Sequence, residues 1–129
     1  MAIPKILVCI TPQSNSTRLI DNGASLAAAQ SGELHILHIE RGDSLFQTDN
    51  SSKLLQQLFE YGSERGGITH GLCGTNISEL IINFILTEQI TSVVFGEPPV
   101  TPAAVPSVIE KTRIALPQVT FVVLQRGAQ

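Results

Sequence analysis

The sequence predicts an α/β fold, organised as a single domain over residues 1–129. Short apolar or β-branched runs, which are typical of strands, recur between longer segments whose apolar residues fall at helical spacing. The first run, residues 6–10, is continuous rather than alternating, as expected for a strand that is covered on both faces. Strands that alternate with helices indicate an open parallel sheet with helices on both faces, and five such strands are expected.

The opening strand leads directly into a polar turn and then a helix. Pro12 ends the strand, and the helix is expected over residues 17–30, with Gly32 as its left-handed cap. Residues 33–41 are too few for a separate helix and are rich in apolar side chains, which predicts a second strand.

Two further strand–helix units follow. A polar loop leads to a second helix, which Ser51 and Ser52 are expected to cap and Gly66 and Gly67 to end. Residues 68–73 are short and half alternating, which favours an edge strand. Residues 76–79, Asn-Ile-Ser-Glu, match a capping box, and the helix that they begin is expected to be the most apolar and the most buried.

The last third of the chain is rich in proline before it becomes regular again. A fourth strand is predicted over residues 91–96, a last helix over residues 103–115 and a final strand over residues 119–124. Two sheet orders are common for such a chain, 2-1-3-4-5 and 3-2-1-4-5, and the pattern alone does not choose between them.

The composition excludes several classes of protein. Hydrophobic residues make up 43% of the chain, which indicates a globular protein, and a net charge of −3 argues against a nucleic-acid binder. No apolar run is long enough to span a membrane, and the N-terminus has no signal-peptide pattern. Cys9 and Cys73 both lie in predicted buried strands, so free thiols and a cytoplasmic location are expected.

The order and spacing of these elements resemble the universal stress protein family over nearly the whole chain. Residues 5–40 resemble its opening strand, helix and second strand, residues 91–96 its fourth strand, and residues 116–127 its closing segment. The resemblance implies the sheet order 3-2-1-4-5. The related domain of potassium-sensing histidine kinases is also similar, because it too has a serine-rich turn after the first strand.

The turn after the first strand is the predicted ligand site. Short polar side chains at the N-terminus of a helix can cradle a phosphate or another small anion. The alternative is that these residues only cap the helix. Candidate ligand-binding residues in the turn and at the ends of the second and fourth strands are Thr11, Ser14, Asn15, Ser16, Thr17, Glu40 and Gly96.

The resemblance argues against ATP as the ligand. The ATP-binding branch of the family has an acidic residue where this chain has Thr11, and a glycine-rich phosphate loop after the fourth strand. Gly96 matches the first glycine of that loop, but the second falls on Pro99, and the later pair falls on residues 109–110. Pro98 and Pro99 remove two N–H donors, and Glu97 adds a negative charge. A nucleotide-binding stress protein with a divergent loop remains the alternative.

No catalytic residue, metal ligand or cofactor is predicted. His35 and His38 are three apart on one strand and therefore point to opposite faces, as do His70 and Cys73, so that no three metal ligands converge. An enzyme of the same superfold would need an acid or base in the crevice, and no carboxylate there is paired in sequence with a nucleophile.

The final strand predicts a homodimer. It is apolar and free of charge, and in the order 3-2-1-4-5 it lies at an edge that needs a cover. The resemblance implies pairing with the same strand of a second copy through Val119, Phe121, Val122, Val123 and Leu124. The expected function is regulation or sensing by a dimer that binds a small anionic ligand, with an input module of a larger sensor as a further alternative.

Overall fold

A computed structural model describes residues 3–10, 16–41, 49–96 and 108–124 of the chain. Within these residues, strands and helices alternate, which confirms the α/β class. The elements are β1 (Lys5–Cys9), α1 (Thr17–Gln30), β2 (Glu33–Arg41), α2 (Asp49–Glu64), β3 (Ile68–Gly74), α3 (Ile77–Glu88), β4 (Ser92–Gly96), α4 (Val108–Ala115) and β5 (Thr120–Leu124).

The strands form one sheet in the order β3-β2-β1-β4-β5, and every neighbouring pair is parallel. The order that the family resemblance implied is therefore confirmed. The chain winds outward from β1 to β3 and then returns past β1 to β4, so the direction of winding reverses between β1 and β4. Such a reversal opens a crevice beyond the carboxyl ends of the strands, where α/β proteins usually bind ligands.

Two apolar cores, one on each face of the sheet, hold the helices in place. Ile6 and Val8 of β1 belong to the core beneath α1 and α2, and Leu7 belongs to the core beneath α3 and α4. All three side chains are fully buried. The burial of each such side chain contributes about 1.5–3 kcal/mol, and the result confirms that β1 is covered on both faces.

Helix α1 lies unusually close to the sheet at Gly23. A Cβ atom placed on Gly23 would overlap Val8 Cγ2 and would lie 3.2 Å from Leu34 Cδ1. The absence of a side chain at this position is therefore what lets α1 approach β1 and β2, as the small residues in its sequence predict.

A polar cluster joins α1 to α2 on the outer surface. The Tyr61 hydroxyl donates to the Asp21 carboxylate at 2.8 Å, and Arg65 Nε donates to the same group at 3.0 Å. The Arg65 guanidinium also lies 3.4 Å from the centre of the Tyr61 ring. Three side chains thus fix the relative position of the two helices on this face of the sheet.

Two helix ends differ from the sequence-based expectation. Ser31, with φ 54°, takes the left-handed conformation that ends α1, and Gly32 does not. Gly32 is instead needed for close approach, because a Cβ atom there would overlap the backbone of Pro4. Helix α2 begins at Asp49, so Ser51 and Ser52 lie inside it and the expected cap is wrong.

Other helix ends agree with expectation. Gly66 has φ 83° just beyond α2, a conformation that glycine adopts with little strain. The capping box is confirmed, because Asn76 Oδ1 accepts a hydrogen bond from the Glu79 backbone N–H at 3.2 Å.

Helix α3 is not the most buried helix. It has two buried residues, whereas α1 has four. It packs on α4 and on β2 and β3 at the margin of the sheet, so its outer side meets solvent and Leu86 is 56% exposed. In the described residues α4 begins at Val108, and residues 103–107 of the predicted helix lie outside them. No helix in the part of the chain that the structure describes is long and apolar enough to cross a bilayer.

Candidate functional site

The candidate site lies beyond the carboxyl ends of β1, β2 and β4. The structure places four of the predicted ligand-binding residues at this edge: Ser16 and Thr17 where α1 begins, Glu40 near the end of β2, and Gly96 at the end of β4. The other three, Thr11, Ser14 and Asn15, lie outside the described residues.

The start of α1 is not capped by the side chain of Ser16. Ser16 has helical backbone angles, φ −67° and ψ −15°, whereas an N-cap residue normally has extended ones. Its side chain makes no capping hydrogen bond, and the residue is 2% exposed. Capping by the Ser16 side chain is therefore not supported, and the remaining turn residues that could cap the helix, 11–15, lie outside the described residues.

Arg18 places a positively charged side chain in the first turn of α1. Its Nε atom is buried and has no hydrogen-bond partner in the described part of the chain, and the same holds for Asn22 Oδ1 one turn later. A cation is unfavourable at a helix N-terminus, where the helix dipole is already positive. A buried donor without a partner costs about 1–3 kcal/mol as well.

Gly96 lies at the end of β4, next to the start of α1. A Cβ atom at Gly96 would lie 3.3 Å from Leu19 Cδ1, so the end of β4 and the first turn of α1 are in close contact.

His38 was not predicted as a site residue, yet it connects Glu40 to the end of β1. His38 is 4% exposed. Its Nδ1 lies 3.1 Å from the carbonyl oxygen of Ile10, and its Nε2 lies 3.1 Å from Glu40 Oε1. Two residues apart on β2, His38 and Glu40 share the face of the sheet that α1 covers.

On the opposite face of the sheet, the side chains of His35 and His70 form a pair. His35 Nδ1 lies 3.1 Å from His70 Nε2, and His35 Nε2 lies 3.1 Å from Glu33 Oε1. Phe84 of α3 stands edge-on against the His70 ring, with 4.7 Å between ring centres. Burial, followed by the neighbouring His35, lowers the pKa of His70, and Glu88 partly opposes this shift.

The expectation that His35 and His38 face opposite sides of the sheet is confirmed. The pairing of His35 with His70 was missed, because it depends on a strand register in which Leu37 is opposite His70. Among the described residues, no three His, Cys, Asp or Glu side chains are placed to hold a metal ion.

The two cysteines are free thiols among the described residues, as expected. Part of the Cys9 side chain remains accessible, but it packs against the apolar core under α3 and α4. Burial raises the pKa of the Cys9 thiol to about 12. Cys9 is therefore a poor nucleophile at neutral pH despite its position next to the crevice.

The edge strand β5 carries four of the five residues that were predicted to form a dimer interface. Phe121, Val122, Val123 and Leu124 are all partly buried. Phe121 stacks on Phe95 of β4, with 6.1 Å between ring centres. Val119 precedes the strand and is 8% exposed within the core, so it offers little surface to a partner.

No protein-family model matches the sequence, and no curated protein sequence matches it significantly. The fold, however, has clear counterparts among solved structures. A universal stress protein in complex with cAMP is 14% identical, with full coverage of both chains and a TM-score of 0.68. The fold is that of universal stress proteins.

Two further solved structures, both of proteins from Archaeoglobus fulgidus, illustrate the likeness. One, a universal stress protein in complex with dAMP, is 12% identical over 96% of this chain and 97% of its own, with a TM-score of 0.60. The other is 20% identical over 96% of this chain and 44% of its own, with a TM-score of 0.70. The likeness extends over nearly all of this chain and concerns its architecture.

Proposed function

We propose that the chain is a regulatory domain of the universal stress protein type that binds a small anionic ligand at the start of α1. The observation that carries the proposal is the unpartnered, buried Nε of Arg18 in the first turn of α1. The crevice at the β1–β4 reversal and the close contact of Gly96 with the first turn of α1 support the same location.

Nucleoside monophosphates are the second candidate ligand, and the comparisons favour them. Two proteins of this fold are described in complex with cAMP and with dAMP, each of which carries a single phosphate. The sequence after Gly96 lacks the glycines that admit a triphosphate, so we expect a ligand with one phosphate rather than ATP.

Thermal unfolding with inorganic phosphate, AMP and Mg-ATP tests this proposal. A ligand present at 100 times its dissociation constant raises the free energy of unfolding by about 2.7 kcal/mol, which is readily measured. We expect stabilisation by phosphate or AMP and none by Mg-ATP beyond what free phosphate gives.

The variant Arg18→Gln, which removes the charge and the unpartnered Nε, should abolish the stabilisation. The matched control is Arg113→Gln, which removes the same charge from the half-exposed last turn of α4. No stabilisation of the wild-type protein by phosphate or AMP would refute ligand binding at this site. Stabilisation by Mg-ATP alone would refute our interpretation of the loop after β4.

We also propose that the domain acts as a homodimer joined through β5. Thr120 N–H donates to the Thr91 carbonyl on the β4 side, so the backbone groups of Phe121 and Val123 face outward from the sheet. An apolar edge strand with free backbone groups is an aggregation hazard unless it is covered. A two-fold axis would pair β5 with its copy in antiparallel orientation and join the two sheets.

Proline at Val123 is the most selective test of this dimer. Val123→Pro removes an outward N–H and leaves the hydrogen bonds between β4 and β5 in place. In a symmetric dimer it removes one hydrogen bond from each copy, about 2 kcal/mol in total, so the dissociation constant should rise roughly 30-fold.

Val123→Ala is the control, because it shortens the same side chain but keeps the N–H. Sedimentation equilibrium at micromolar concentration measures both variants. A monomeric wild-type protein, or a Val123→Pro dimer as tight as the Val123→Ala dimer, would refute pairing through β5.

A further inference from the structure

The side chains of Glu33, His35 and His70 form a hydrogen-bonded chain on the face of the sheet that α3 covers. Glu33 Oε1 lies 3.1 Å from His35 Nε2, and His35 Nδ1 lies 3.1 Å from His70 Nε2. The central ring, His35, is 3% exposed and therefore nearly closed to water. This chain connects β2 to the edge strand β3, away from the candidate site at the start of α1.

The geometry of the two rings limits the protons that they can carry. The ring planes are within 17° of parallel, and the ring centres are 5.3 Å apart, so the two nitrogens at 3.1 Å point towards each other. Such a hydrogen bond holds one proton between its two nitrogens, because a protonated imidazole nitrogen only donates. If both rings were charged, two N–H groups and two positive charges would face each other. The His35–His70 contact therefore exists only while at least one ring is neutral.

The charged groups around the pair lie on three elements. On β2, Glu33 contacts His35 on the side away from His70, but its side chain is 41% exposed, so water screens its charge. On β1, Lys5 is opposite Glu33 in the strand register. Burial, followed by His35, lowers the pKa of His70, although Glu88 of α3 partly opposes this shift. His70 thus takes up a proton less readily in the fold than in the unfolded chain, so acid favours separation of the pair.

Phe84 connects the pair to α3. Its ring stands edge-on to both imidazoles, with 4.7 Å to the centre of His70 and 6.5 Å to the centre of His35. Nearer the start of α3, Leu80 lies against Gly74, where a Cβ atom would overlap Leu80 Cδ1. Helix α3 is thus held on β3 by an apolar contact near one end and by a contact that depends on protonation near the other.

Little apolar burial opposes the release of β3. All seven residues of this edge strand are described, and none of them is buried. Segments with few buried apolar contacts open locally at a small cost in free energy, without unfolding of the whole domain.

We propose that the His35–His70 pair is an acid-sensitive switch, which holds β3 and α3 against β2 while one ring is neutral and releases them when both rings are charged. Opening takes up protons from water and breaks the hydrogen bond between His35 Nδ1 and His70 Nε2. The switch lies at the margin of the sheet opposite β5, and it requires neither the anion site nor the β5 dimer.

Two measurements on the wild-type protein test the switch. Proton–nitrogen NMR spectra report whether each imidazole is neutral or charged, and the chain has only three histidines to assign. Hydrogen exchange, expressed as protection factors, reports the opening of each element. Between pH 7.5 and 5.0 the protection of β3 and α3 should fall at least about tenfold, the size expected for loss of a hydrogen bond to a charged group, whereas β1 should keep its protection.

Three variants separate the switch from a general effect of acid. His70→Gln keeps a donor for His35 Nδ1 but takes up no proton, so β3 and α3 should stay protected at pH 5.0. Glu88→Gln should move the loss of protection to lower pH, because the Glu88 carboxylate favours the charged form of His70. The matched control is His38→Gln, which removes the nearly buried histidine on the opposite face and should leave the response of β3 and α3 unchanged.

The switch is supported if both rings become charged over the pH range in which β3 and α3 lose protection. Two charged rings in a protein whose β3 and α3 remain protected would overturn it. An equal loss of protection in β1, or the same fall in His70→Gln as in the wild-type protein, would also overturn it.

Discussion

Replacing Gly23 by alanine should destabilise the fold, although alanine is the better helix former. In the interior of a helix this exchange normally adds about 1 kcal/mol of stability. At this position the new Cβ overlaps Val8 Cγ2 and lies 3.2 Å from Leu34 Cδ1. Val8 is fully buried and β-branched, so it cannot rotate away from the new methyl group without displacing its neighbours.

The magnitudes decide the sign of the effect. Overpacking a core costs about 1–3 kcal/mol, and the stiffness of Val8 places this case in the upper half of that range. After subtraction of the gain in helix propensity, Gly23→Ala should lower the free energy of unfolding by roughly 1–2 kcal/mol. Urea unfolding followed by far-ultraviolet circular dichroism measures the difference. Ser25→Ala, on the exposed side of the same helix, is the control and should be neutral or slightly stabilising.

A double-mutant cycle with Val8→Ala isolates the contact. Val8→Ala alone should destabilise the protein by about 2 kcal/mol because it leaves a cavity. In the double variant the methyl group that Gly23→Ala introduces fills part of that cavity. The loss of stability in the double variant should therefore be smaller than the sum of the two single losses by about 1 kcal/mol or more. A stabilised Gly23→Ala protein, or two losses that simply add, would refute close packing at this point.

Three further outcomes follow from the described residues. The pKa of His70 is lowered in the fold, so its contribution to stability is retained above the ordinary value of 6.5 and decreases as the pH falls below it. The urea midpoint of His70→Gln should therefore fall less between pH 7.5 and 5.5 than that of the wild-type protein. Equal decreases in the two midpoints would argue against the pairing of His70 with His35. In the native protein, iodoacetamide at pH 8 should modify Cys73 well before Cys9, whose thiol pKa is raised to about 12, and after denaturation the two should react at similar rates. Equal rates in the native protein would contradict the burial of Cys9. Gly66→Ala should lose about 1 kcal/mol in a urea titration because φ is 83° there, and an unchanged midpoint would argue against the left-handed end of α2.

Much of the fold could be predicted from local patterns in the sequence. The continuous apolar run of β1 indicates burial on both faces, and the capping box at Asn76 and the glycine pair after α2 mark helix ends through interactions within a few residues. The end of α1 could not be predicted in this way. A glycine two residues past the helix resembles a left-handed cap, but the approach of Pro4 is what requires a residue without a side chain at Gly32.

The candidate site was predicted less completely than the fold. The start of α1, Glu40 and Gly96 follow from chain order, because the carboxyl ends of parallel strands share one edge of a sheet. The contacts of His38 with Ile10 and of His35 with His70 depend on register between strands, and a single sequence does not specify register. Arg18 offered one signal that could have been used, since a cation in the first turn of a helix opposes the helix dipole.

The cluster of Tyr61, Asp21 and Arg65 has a practical consequence for spectroscopy. The chain has one tyrosine and no tryptophan, so its ultraviolet absorbance change at alkaline pH comes from a single phenol. The hydrogen bond to the Asp21 carboxylate, more than any other influence, raises the pKa of Tyr61 above its ordinary value of 10. A phenol released from Asp21 titrates closer to that ordinary value. The pKa of Tyr61 in an absorbance titration therefore reports whether α2 is packed on α1, without any label.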